Sequence, residues 1–120
     1  MSAPWQRMSV RARAVTRYAR RRLTGGDGFI RSMLDVGAPG RDVMSGFEQE
    51  QALRTDATLR RLGVRCLWRS AIVTDRLRSQ GVAAHVGLAV WSADPRKAHA
   101  ECEVNGAPLR PFDADSVRLK

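Results

Sequence analysis

A chain of 120 residues with 43% hydrophobic and 28% charged residues has a globular composition and is long enough to bury a core, which excludes a disordered chain. Lys and Arg total 21 against 12 acids, a net charge of +9 that favours acidic partners, while aromatic residues at 6% are thin for stacking on bases. No stretch approaches the ~20 consecutive apolar residues of a membrane span, and two cysteines are too few for a disulfide scaffold. The opening MSAPWQRMSVRARAV lacks the apolar region of a secretory signal, so the expectation is a cytoplasmic protein with reduced thiols.

In chain order, residues 9–23 read as a helix with Val10, Ala14 and Tyr18 on one face. Seven arginines (Arg7, Arg11, Arg13, Arg17, Arg20, Arg21, Arg22) precede the first acid, Asp27. TGGDG at 24–28 stops this helix, and a short apolar helix follows over 29–36, ended by GAPG. Asp42 or Ser45 caps the next helix, which carries Phe47, Leu53, Leu59 and Leu62 and ends at Gly63. Another helix places Leu67, Ala71, Thr74 and Leu77 on one face and ends at Gly81. VAAHVGLAVW at 82–91 reads as a strand, SADPRK as a turn, and Asn105-Gly106 as the tip of a β-hairpin. The fold class is therefore α+β: a helical N-terminal region over 1–62, then one helix and an antiparallel sheet over 63–120.

The order of these elements suits cysteine chemistry. A nucleophilic cysteine needs its thiolate, and a helix N-terminus favours an anion through its unpaired amides and dipole. Cys66 falls in the first turn of its predicted helix, with Arg65 and Arg69 beside it. His85 and His99 are the two histidines. His99 sits on the first hairpin strand with an acid on the returning strand, the arrangement of a Cys–His–Asp triad. Two Cys and two His at these spacings make no zinc pattern, and neither a metal nor a cofactor is expected.

CLWRSAIVTDRLRSQGVAAHVGLAV followed by AHAECEVNG resembles the lasso-peptide leader peptidases, of the transglutaminase-like branch of the papain-like cysteine enzymes. Their pattern runs Cys-Leu-x-Arg-Ser/Ala at a helix start, a Gly-Val/Ile-Pro-Ala turn into a strand ending in IGV, then AHAWVEVDG. The chain matches it at Cys66, Leu67, Arg69, Ser70, Leu77, Gly81, Ala84, Gly87, Ala98, His99, Ala100, Glu103, Val104 and Gly106, within residues 63–113. The resemblance implies a transglutaminase-like core over 63–120. It also implies a peptidase that removes the leader from a ribosomally made precursor, freeing the amine that an ATP-dependent cyclase joins to a side-chain carboxylate. Without strand signals in the first 60 or so residues, the chain resembles the split form that meets its substrate through a separate leader-recognition protein.

In that scheme Cys66 attacks the leader–core bond, His99 shuttles the proton and Asp113 orients His99. The family acid falls on Pro111 here, and Asp113 and Asp115 are the nearby candidates. Register decides between them: a strict two-residue Asn-Gly turn pairs His99 with Phe112, whereas a three-residue loop with a glycine bulge pairs it with Asp113. Glu101 and Cys102 replace the family Trp-Val; Glu101 shares a strand face with His99 and Glu103, while Cys102 points away as core filler. Trp68, two residues past the nucleophile, and Glu101 are the candidate substrate contacts. His85 reads as structural. Two competing readings remain: a non-catalytic basic module binding an acidic partner or nucleic acid, and transglutaminase-type acyl transfer by the same thioester.

Overall fold

The computed structural model describes residues 10–91, 98–109 and 116–118. Four helices, α1 (Val10–Thr24), α2 (Gly26–Met33), α3 (Gly46–Arg61) and α4 (Cys66–Ser79), precede the strands β1 (Ala84–Trp91), β2 (Ala98–Val104), β3 (Ala107–Pro108) and β4 (Ser116–Arg118). The strands form an antiparallel sheet in the order β3-β2-β1-β4, so the chain is an α+β domain.

The glycines at 25 and 26 do more than stop α1. A Cβ on Gly25 would lie 2.7 Å from the Phe29 Cβ, so only glycine lets the two helices approach here. Gly26, at φ +52°, opens α2 three residues earlier than the apolar pattern predicts. At α3, Ser45 rather than Asp42 is the cap. Its side chain accepts from the Glu48 amide while the Glu48 carboxylate accepts from the Ser45 amide, a reciprocal capping box. Ala52, Thr55 and Leu59 form the buried face of α3. Phe47 and Leu62, expected on that face, are exposed, because packing against α1 and α4 sets the rotation of the helix.

Helix α4 is the centre of the molecule. Residues 70–77 are all buried, since α1, α2 and α3 cover one side of it and β1 and β2 the other. Ala71 and Ile72 pack with Ala14, Phe29, Ile30, Met33, Leu59, Val86 and Ala100; Val73 and Leu77 pack with Ala52, Val82, Ala84, Cys102 and Val104. Both clusters combine residues from before and after position 62, so the regions 1–62 and 63–120 share one core.

The hairpin turn is the two-residue form. Asn105 and Gly106 both have positive φ, 53° and 75°, and Val104 pairs with Ala107 and Glu103 with Pro108. The bulged three-residue loop that would set Asp113 opposite His99 is therefore not formed. Asp113 and Asp115 themselves lie outside the described residues.

Candidate active site

Cys66 is the first residue of α4, and the chain leading to it is pinned from three directions. Gly63, at φ +78°, donates its amide to Arg60 O (3.0 Å), and Val64 donates to Leu59 O (3.0 Å), closing α3 in a Schellman motif with Val64 buried. Arg69, one turn into α4, reaches back: its Nε donates to Asp56 Oδ1 (3.1 Å) and its Nη1 to Val64 O (2.8 Å). The matched arginine thus ties α3, the 63–65 loop and α4 together beneath the cysteine. Cys66 is a free thiol, partly buried against the core cluster. No side chain caps this helix end, because the N-cap residue is Arg65, so the first-turn amides are left to face an anion.

Helix and strand run alongside each other from this point. Ser70 Oγ donates to Ala100 O (2.9 Å), and further along Arg78 Nε donates to Ala84 O (2.8 Å), opposite Val104. One helical turn advances about 5.4 Å and two strand residues about 6.6 Å. Cys66, one turn before Ser70, is therefore level with the start of β2, where His99 sits.

The two side chains start from different faces. Ala100, Cys102 and Val104 pack toward α4, so His99, Glu101 and Glu103 occupy positions on the opposite face of β2. His99 Nε2 lies 2.5 Å from Glu101 Oε1. Among the described residues β3 pairs with Glu103 and Val104, and Leu109 next donates to Cys102 O (3.2 Å). Glu101 also lines a small crevice with Asp56, Ser70, Val73 and Cys102. The structure thus brings Cys66 and His99 to one end of the α4–β2 layer, and gives His99 a carboxylate from its own strand.

Trp68 is surrounded by packing partners. Phe29 stacks on it at 5.8 Å, Tyr18 meets it edge-on at 5.9 Å, and the Arg22 guanidinium lies 5.0 Å from its ring centre. Its surroundings are α1 and α2. Cys102 is 2% exposed, and burial, with the charges of Glu101 and Glu103 adding, pushes its thiol up to about 12. The parity argument anticipated that inward position.

Sequence reasoning missed a second pair. His85 Nε2 lies 3.1 Å from Glu103 Oε1, directly across the strands, with both side chains largely buried. The Glu103 carboxylate lies over Gly87, where any Cβ would collide with it. The signal was available, since a histidine and a glutamate at paired positions on one face flank a glycine. Among the described residues no cluster of three or more His, Cys, Asp or Glu is placed to hold a metal ion, and no helix is long and apolar enough to cross a membrane. No protein-family model, curated protein or solved structure matches this chain.

Proposed function

We propose that this chain is a cysteine peptidase that removes the leader from a ribosomally synthesised lasso-peptide precursor, working with a separate leader-recognition protein and upstream of an ATP-dependent cyclase. The observation that carries the reading is the placement of Cys66. It is a free thiol at an uncapped helix N-terminus, locked by Arg69 and level with His99. Of the residues that match the leader peptidases, Leu67, Arg69, Ser70 and Ala100 lie at that end of α4.

In this mechanism the Cys66 thiolate attacks the carbonyl carbon of the leader–core peptide bond. The developing oxyanion meets the first amides of α4, which already point outward from the helix end. His99 passes the thiol proton to the leaving amine, the core peptide departs, and water hydrolyses the leader thioester. Glu101 on Nε2 orients the ring that exchanges the proton with sulfur. Proton transfer needs the ring within about 3 Å of Sγ, so the imidazole must leave its place beside Glu101 on the far face of β2; catalytic contacts often tighten only when substrate binds. Asp113 remains the orienting acid implied by the resemblance, and Glu101→Gln against Asp113→Asn tells the two apart.

The test is mass spectrometry of the precursor peptide incubated with the recognition protein and each variant. The expectation is a leader fragment and a core fragment with wild type, and intact precursor with Cys66→Ala and His99→Ala, both folded by circular dichroism. A leader joined to an amine instead of released as the acid would move the reading to acyl transfer. Cleavage that survives Cys66→Ala would remove the thiol from the mechanism.

A further inference from the structure

The other end of α4 holds a cleft with a different chemistry. A space of about 390 Å³ between α1 and α4 is lined by Arg13, Arg17, Arg20, Arg21 and Arg76, with Asp75 as its acid; the rest of the lining is Thr and Ser hydroxyls and a Gln amide. Among the described residues, five guanidinium groups and one carboxylate line it, so the lining is basic. Asp75 shows how this cleft holds a carboxylate: its Oδ2 accepts from Arg17 Nη1 (2.8 Å) and Arg21 Nε (3.3 Å), and its Oδ1 from Arg21 Nη2 (3.1 Å). Arg76 is 7% exposed, its Nη2 donates to Gln51 Oε1, and its buried Nε has no hydrogen-bond partner. Burial and the neighbouring charges of Arg17 and Arg13 lower the Arg76 pKa. A buried cation facing like charges is costly, and an anion entering the cleft offsets that cost.

We propose that this cleft is a docking site for an acidic peptide segment whose carboxylates are spaced roughly two or three residues apart. The spacing follows from α1, where Arg13, Arg17 and Arg20 share one face and span about 10 Å along the axis, a row rather than a single point. A compact dianion would engage only part of that row, while successive Asp or Glu side chains on an extended chain match it. Among the described residues no aromatic side chain lines the cleft, so a nucleobase lacks an aromatic platform there. Ser79 and Thr16 in the lining donate their hydroxyl protons to Arg76 O and Ala12 O, which leaves their oxygens to accept from peptide amides. The site lies about 20 Å along α4 from Cys66, near enough for a peptide held here to reach the thiol yet independent of its chemistry.

Fluorescence anisotropy with a labelled peptide of alternating Glu and Ser tests this at about 0.15 M ionic strength, where charges more than ~8 Å apart are screened. The full-length wild type binds the peptide and ignores its Gln-for-Glu counterpart. Arg13→Gln with Arg20→Gln weakens binding roughly tenfold. Arg31→Gln with Arg61→Gln, which removes the same charge from exposed sites outside the cleft, changes it by less than about twofold. Equal weakening by the two double variants would reduce the effect to net charge and overturn the site. Tighter binding of an oligothymidylate, lost in the cleft variant, would assign the cleft to nucleic acid instead. Absence of peptide binding by folded wild type would also overturn it.

Discussion

The two ends of α4 are made from the same helix but opposite materials. At the N-terminal end sits a small, partly buried thiol with an uncapped turn of amides and one arginine used purely as a latch. At the C-terminal end, Asp75 and Arg76 are buried under a row of arginines from α1. Between them Ile72, Val73 and Leu77 are sealed in the core, which fixes both ends to one rigid body. The difference teaches that arginine has two jobs in this chain. Arg69 spends its guanidinium group on Asp56 and the Val64 carbonyl, and Arg78 on backbone carbonyls, so both hold loops in place, whereas Arg17 and Arg21 of α1 gather on Asp75.

Variants at the two ends separate those jobs. Arg69→Ala has the largest effect: it breaks a largely buried ion pair and a charge-assisted bond to Val64 O, for a loss of about 2 kcal/mol in denaturant unfolding. Precursor cleavage falls with it, and Arg69→Lys does not restore it, because a lysine cannot reach Asp56 and Val64 O with one forked group. Asp75→Asn releases Arg17 and Arg21 from α4. Those arginines are over a third exposed on average, so the loss is smaller, about 1 kcal/mol. Cys66 reactivity should be unchanged by it; a parallel fall would show that the two ends are coupled.

The smallest effect is one of pH and lies outside α4. The Arg41 guanidinium, and after it the Ser45 amide, hold the Glu48 carboxyl down at about 2 from an ordinary 4.5. A lowered folded-state pKa gives stability that is complete above about pH 4.5 and is lost as pH falls toward 2. Melting temperatures across that range should drop more for wild type than for Glu48→Gln. The Arg41 side of the pair is half exposed, so solvent screening keeps the difference slight.

Local chemistry explains what the sequence revealed of this fold. The Ser45–Glu48 cap, the Gly63 exit, the Asn105-Gly106 turn and the parity of β2 are all set by neighbours within a few positions, and each is written in residue type. The Phe47 and Leu62 exposure was not legible, because a helix with several apolar stripes is rotated by its partners and not by its own pattern. Nor was the site fully legible. Cys66 at a helix start was readable, and so was the strand face that His99 shares with Glu101, but their contact depends on side-chain rotamers that residue type does not fix. The basic cleft was visible only as a run of arginines; which of them converge on Asp75 is decided by how α1 crosses α4.

One measurement bears most directly on the central claim that Cys66 is a nucleophile supported by His99. It is the alkylation rate of each cysteine by iodoacetamide near the ordinary histidine pKa of about 6.5, with sites assigned by mass spectrometry, in wild type and His99→Ala. The account predicts that Cys66 reacts faster than a free thiol, that His99→Ala slows it roughly tenfold, and that Cys102 reacts only after unfolding. A Cys66 that labels at the free-thiol rate with or without His99, in the presence of recognition protein and precursor, would contradict it.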